Sequence, residues 1–337
     1  MMQVQQRLFQ QLKQQVPENG NLAEMVASLL YISTDSAYRR MRCETPLTAD
    51  ELVALCRHFK LSLDEMLQEG RAEKTIFETY RVDHAEARFE DYLGGILLQL
   101  QAIDALPEKE IIYASKDIPL FHFFHSPLLL AFKHFFWMKT IIQHPDYQQR
   151  IFEPGPPEPF LLKTAAAILE LYNRIPSTEV WNIESINSTL LQLEFYRETN
   201  VFRSADDLLQ LCDALEEAVD HVETQAEYGA KGERNQALQI RKTNYRFFYN
   251  TVILADTTIF VQSPGFQRVF INYGVLNYLT TTDKRFVQSV YADLQNLLRK
   301  STLISQGSSR QRSIFFRTLR ESIRAQKQKI QQGAHGS

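Results

Sequence analysis

Residues 22–42, LAEMVASLLYISTDSAYRRMR, decide how this chain is read. Leu22, Met25, Val26, Leu29 and Leu30 recur at helical spacing and stop at a short turn, Tyr31-Ile32-Ser33. Ser33 is placed to cap a second helix, its hydroxyl accepting from backbone N–H groups two or three residues ahead. That helix has chiefly Ala37 and Met41 to bury, four apart on one face. Thr34, Asp35, Tyr38, Arg39 and Arg42 are then free to face outward. A short helix pinned on one side, with arginines and small polar groups on the other, suits a DNA major groove.

The flanking residues extend the pattern into a bundle. A helix is expected over 4–15, with Val4, Leu8, Phe9 and Leu12 on one face, broken by Pro17-Glu18-Asn19-Gly20. Asn21 and Glu24 form a capping-box-like start to the helix that follows. Thr48 and Glu51 repeat the arrangement before Leu52, Leu55, Cys56 and Phe59, and Ser62 and Glu65 do so before Met66 and Leu67. Five short helices within about seventy residues follow from this reading.

Leu22-Ala23, Ala27, Ile32-Ser33, Tyr38-Arg39-Arg40 and the trailing Pro46-Leu47-Thr48, Leu52, Phe59 and 61–65 (LSLDE) together carry a likeness. Over roughly residues 5–68 the chain resembles the lambda-repressor-like (Cro-type) helix-turn-helix family. The resemblance implies that Ser33, Thr34, Asp35, Ser36, Tyr38, Arg39 and Arg42 face DNA. Arg39 and Arg42 are the expected contacts to guanine or phosphate, and Tyr38 to a thymine methyl or a phosphate. Asp35 is expected to orient Arg39 one turn on. Two positions depart from the family: Tyr31 stands at the turn, and Cys43 after the second helix, where glycine is usual. The long remainder resembles the tails of uncharacterised helix-turn-helix regulators of bacteria, which implies no ligand or activity.

Composition sets bounds. The 337 residues are 44% apolar and 23% charged, with a net charge of −3, so any DNA contact must come from a local patch. Three scattered cysteines without a CxxC pairing point to a reducing cytoplasm and away from thiolate zinc. The N-terminus lacks the apolar core of a secretory signal. The longest apolar run, 127–142, is interrupted by Lys133 and His134 and falls short of the ~20 residues of a membrane span.

The expected organisation is a helix-turn-helix domain over 1–69, a linker over 70–84, a larger helical domain over 85–331 and a tail over 332–337. Helices are expected at 85–105 (bent at Gly94-Gly95), 126–143, 159–173, 178–199, 205–228, 283–300 and 311–331. Ser177 and Ser204 are read as caps and Gly229 as a helix end. Residues 240–280, rich in Val, Ile, Phe, Tyr and Thr, read as two or three strands, TVILA (251–255) among them. The fold class is therefore expected to be mainly α with a small β insert.

Candidate chemistry is thin. No GxGxxG, P-loop, GxSxG or HExxH sequence occurs, so no enzyme is expected, and no cofactor. His122, His125 and His134 invite a metal reading with Asp117, but histidines among phenylalanines read better as core or pocket wall. Glu179, Glu184, Asp206 and Asp207 are read as carboxylates at helix starts. The Phe-rich segment 111–137 is read as core, or as the lining of an apolar pocket or dimer interface. Lys116, Asp117, His122, His125 and Trp137 are the candidate pocket residues, with Tyr245, Tyr249 and Tyr273 as further wall. The basic stretch 299–329, nine Lys/Arg and one acid, reads as a solvated helix face, or else as extra phosphate contacts. Ile314, Phe315, Leu319 and Ile323 would dock it.

The expected function is a sequence-specific DNA-binding transcriptional regulator in the cytoplasm, a homodimer on double-stranded DNA, with no membrane contact. Its C-terminal domain would oligomerise and offers a place for a small-molecule effector. The alternative is a protein-interaction scaffold using the N-terminal bundle.

Overall fold

The computed structural model describes residues 2–16, 21–59, 61, 75–80, 89–233, 243–251 and 256–334. The chain divides into two compact units, Met1–Lys74 and Thr75–Ser337.

The first unit contains α1 (Met2–Gln15), α2 (Leu22–Leu30), α3 (Thr34–Met41) and α4 (Ala49–His58). Leu8, Phe9, Leu12, Leu22, Val26, Ala27, Ala37 and Leu55 form its core. The caps fall where hydroxyls and amides stand in the sequence. Asn21 accepts from the Ala23 N–H, Ser33 from that of Ser36, and Thr48 forms a full capping box with Glu51. The Gln5 side chain ties α1 to the α3–α4 segment, donating to the Arg40 and Thr45 carbonyls and accepting from the Leu47 N–H. The fifth helix expected from Ser62 onward lies outside the described residues, as do 251–255 TVILA beyond Thr251 and the tail 335–337.

The second unit is an α/β domain, which corrects the expectation of a mainly α fold with a small insert. Among the described residues its sheet has eight strands: β1 (Glu78–Tyr80), β2 (Glu110–Ala114), β3 (Ser177–Trp181), β4 (Tyr245–Tyr249), β5 (Thr258–Ser263), β6 (Phe266–Asn272), β7 (Tyr278–Thr281) and β8 (Thr302–Leu303). Their order is β1-β7-β6-β5-β2-β3-β4-β8. The pairs β2–β3 and β3–β4 are parallel, and all others are antiparallel. Strand β1 lies inside the segment expected as a linker.

The missed strands have a physical explanation. β2 and β3 are parallel and buried on both faces, so EIIYA and STEVW carry no alternation that a five-residue window could display. Residues 178–181 are thus strand rather than the start of a helix, and Ser177 is the first strand residue, not a cap.

Helices cover the sheet unequally. On one face, Ile112, Ala114, Val180, Phe248, Phe260 and Val269 pack against Val287, Leu294 and Leu298 of α12 (Lys284–Arg299). On the other, Ile111, Tyr113, Trp181, Tyr245 and Phe247 join the main core. That core is built from α5 (Phe89–Asp104), α6 (Leu120–Phe123), α7 (Pro127–Phe136), α8 (Pro145–Gln148), α9 (Pro159–Arg174), α10 (Asn187–Glu198), α11 (Ala205–Tyr228) and α13 (Ser309–Ala334). The long α11 starts on a Ser204–Asp207 capping box and ends at Gly229, whose φ of 64° needs no Cβ. Helix α5 runs on through Gly94-Gly95. A Cβ at Gly95 would come within 2.9 Å of the Tyr80 hydroxyl, so the glycine lets β1 approach the helix. Among the described residues no helix is long and apolar enough to cross a membrane.

Candidate functional site

In the first unit, α3 is held by a single face. Ala37 is 0% exposed, whereas Ser33, Thr34, Asp35, Tyr38, Arg39 and Arg42 are all exposed and Ser36 is half-buried. Asp35 and Arg39 pair at 3.2 Å one turn apart, and Arg42 pairs with Glu44 at 2.9 Å. Pairs this exposed contribute roughly 0–1 kcal/mol, so either arginine can leave its carboxylate for a stronger acceptor at little cost. Arg40 differs. It grips Glu51 of α4 through two bonds of 2.8 and 3.0 Å, with its side chain only 15% exposed. That bond holds the Glu51 carboxyl below its ordinary range, against the opposing effect of burial. Arg40 therefore locks α3 to α4, while Arg39 and Arg42 are presented outward. Tyr31 and Cys43, at the two glycine positions of the resembled family, both adopt left-handed backbone, with φ of 55° and 59°.

In the second unit, a cavity of about 880 Å³ opens beyond the carboxyl ends of β2 and β3. Ser115-Lys116-Asp117-Ile118 leaves β2 into it, and Asn182 and Glu184 leave β3. Strand β2 is flanked there by the parallel β3 on one side and the antiparallel β5 on the other. Loops that leave the carboxyl ends of parallel strands are common ligand sites in α/β sheets. Tyr113, Phe136 and Trp137, with the half-buried Tyr92, make an aromatic wall. Leu191, Phe195, Tyr273 and Val275 expose apolar surface at the rim, Leu191 to 67%. Trp137, Thr140 and Ile141 reach the cavity from a π-helical turn, Trp137–Ile141, that widens the end of α7.

The cavity's charged groups are unevenly satisfied. Lys116 and Asp256 pair at 3.2 Å. Lys133, 4% exposed, donates to Thr189 Oγ1 and Gln192 Oε1, each at 2.8 Å, and lies 4.4 Å over the Phe123 ring. Burial pushes its ammonium down to about 7, despite the nearby Asp117. Asp117 moves the opposite way. The residue is exposed, yet partial desolvation of its carboxyl raises its pKa above the ordinary carboxylate value, against Lys133, a Ser188 hydrogen bond and Lys116.

Of the five expected pocket residues, Lys116, Asp117 and Trp137 line this cavity. His125 lines a separate, more open depression of about 630 Å³ with Pro154, Gly155 and Pro156. His122 reaches neither. It is sealed in the core with its Nε2 at 3.0 and 3.1 Å from the Glu179 carboxylate oxygens. Tyr273 joins the cavity rim, whereas Tyr245 belongs to the sealed core and Tyr249 packs on Phe315.

Glu179 itself overturns a sequence expectation. It is no helix-start carboxylate but a fully buried residue of β3, accepting from Trp181 Nε1 at 2.9 Å and from the Tyr172 hydroxyl. Burial pushes its carboxyl up, yet His122, Tyr172 and Lys231 outweigh that and hold it below its ordinary range. Lys231 Nζ donates to the Tyr172 and Ile175 carbonyls at the end of α9, 3.6 Å over the Tyr172 ring. Its burial lowers the ammonium to about 7. Neither Lys133 nor Glu184 was singled out for the cavity by sequence, since a lysine amid phenylalanines reads as an interruption of an apolar run.

The basic stretch 299–329 is largely spoken for. On α13, Arg320 pairs with Asp220 at 2.7 Å, Arg324 with Glu216 at 3.2 Å, and Lys327 with Asp213 and Glu216 at 2.6 Å, all on α11. Phe315, Phe316, Leu319 and Ile323 dock the helix, while Ile314, expected among them, is exposed. Among the described residues no group of three or more His, Cys, Asp or Glu side chains could hold a metal ion.

Comparison with family models and with curated proteins returned no match, so function has to be read from the side chains themselves.

Proposed function

We propose that the chain is a sequence-specific DNA-binding regulator of the cytoplasm, acting as a homodimer, whose second unit serves oligomerisation and effector sensing. The observation that carries this reading is α3. Its only fully buried residue is Ala37, and its outer face offers Thr34, Asp35, Ser36, Tyr38 and Arg39, with Arg42 at its end. Arg39 and Arg42 would supply bidentate contacts to guanine or bonds to phosphate, a good base contact contributing about 1–3 kcal/mol of discrimination. One such helix makes few contacts, so two copies on half-sites about one helical turn apart are expected.

The test is binding of the full-length protein to DNA from its own upstream region, across a salt series and with unrelated DNA as competitor. Wild type should bind specifically and lose affinity as salt rises, and the Arg39→Ala/Arg42→Ala variant should lose that binding. Equal behaviour of wild type and variant would remove the DNA reading and favour the bundle as a protein-interaction scaffold.

A further inference from the structure

We propose that the cavity beyond β2 and β3 is a receptor for an organic cation with an aromatic or branched apolar body. The site belongs to the second unit alone, so the proposal stands or falls independently of DNA binding by the first.

Size comes first. About 880 Å³ is far more than an inorganic ion needs and lies within the range of sites for drug-sized molecules. The walls then select an apolar body. Tyr113, Phe136 and Trp137 offer buried rings and Tyr92 a half-buried one, and Phe195 and Tyr273 continue the aromatic surface to the mouth. Burying a ligand's apolar surface there contributes about 25 cal/mol per Å².

Charge decides the sign of the polar group. The lining holds three carboxylates, Asp117, Glu184 and Asp256, against two amines, Lys116 and Lys133. Lys116 and Asp256 cancel each other in their ion pair. Lys133 already donates to Thr189 and Gln192, and its burial leaves it only partly charged near neutral pH. Asp117 and Glu184 remain, so the cavity is net negative. An anionic ligand would meet those carboxylates, and the exposed ammonium of Lys116 already faces a carboxylate of its own, Asp256. A cation would pair directly with Asp117, an exposed residue of the lining. The aromatic faces add to the effect, since the negative face of each ring attracts a cation by roughly 0.5–2 kcal/mol. Asp117 is thus the anchoring carboxylate and the rings form the cage.

The experiment is calorimetric titration of the full-length protein, near neutral pH, with three probes sharing one ring system: tryptamine, neutral 3-methylindole and indole-3-acetate. Tryptamine should bind at least about tenfold more tightly than indole-3-acetate, with 3-methylindole between them. Asp117→Asn should weaken tryptamine about tenfold and leave 3-methylindole unchanged. Indole-3-acetate binding as well as tryptamine, no binding by tryptamine at millimolar concentration, or an Asp117→Asn variant that binds tryptamine normally would each overturn the proposal. The comparison of probes uses the unaltered protein, so it holds even if the variant does not fold.

Discussion

The His122 imidazole and the Glu179 carboxylate, 57 residues apart in the chain, meet at 3.0 Å with neither side chain more than 3% exposed. The contact joins α6 to the middle strand of the parallel trio, and Tyr172 and Trp181 complete the carboxylate's shell. A buried ionised group is tolerated only when its partners are in place. Removing one partner leaves the others desolvated and unpaired.

Glu179→Ala should accordingly lower the stability of the second unit by about 3–5 kcal/mol. Glu179→Gln keeps the shape and a carbonyl acceptor and should cost less. Urea unfolding of both variants measures this. A loss under about 1 kcal/mol for the alanine variant would mean that the network contributes no stability.

His134 should give the protein an acid-sensitive limb. Burial lowers its pKa from 6.5 to about 4, against the pull of Glu90. Between those values the unfolded chain binds the proton and the folded chain does not, so stability is lost as pH falls from 6.5 through about 4. The loss is on the order of 3 kcal/mol. His134→Phe, which can still pack between Phe89 and Tyr147, should flatten that limb relative to wild type. Parallel stability curves for the two proteins over this window would refute the assignment.

Tyr31 is 96% exposed and held at a φ of 55°, so its ring offers no packing to offset its backbone strain. Tyr31→Gly should stabilise the first unit by about 0.5–1 kcal/mol, the relief of left-handed strain exceeding glycine's extra freedom in the unfolded chain. Hydrogen exchange of the α2 and α3 amides in the full-length protein should slow. Faster exchange would show that the turn wants its side chain.

Neighbouring arginines of α3 should behave oppositely. Arg40→Ala removes the two bonds to Glu51 and should destabilise the bundle by about 1–3 kcal/mol. Arg39→Ala removes only an exposed pair and should change stability by less than about 0.5 kcal/mol. Thermal unfolding of the two variants separates them, and equal effects would contradict the assignment of Arg40 as the lock.

What the sequence revealed depended on whether a signal was local. The caps at Asn21, Ser33, Thr48 and Ser204 act within three residues of themselves and are legible as text. The long amphipathic helices are legible too, because each repeats its apolar face over several turns. The sheet was not. Strand β3 is fully buried and flanked by helices, and β1 and β8 have three and two residues, so none shows a period. The candidate site divides in the same way. Lys116 and Asp117 stand out as charges beside an apolar segment, but Lys133, Glu184 and Asn182 come together only through the crossover between parallel strands. His122 and His125, three residues apart, look alike in the sequence. The turn after α6 sends one into the core and the other to an open depression.

The two ends of the sheet bear on how copies of the chain could associate. Pairing strand to strand across an edge requires a row of free backbone groups long enough to template another chain. Here one margin is the three-residue β1, with Tyr80 stacked on Tyr278 of its neighbour, and the other is the two-residue β8. Among the described residues neither offers such a row. A twofold assembly of this protein would therefore join through helical surfaces, and concentrated solutions should resist the sheet-extending aggregation to which open-edged α/β domains are prone.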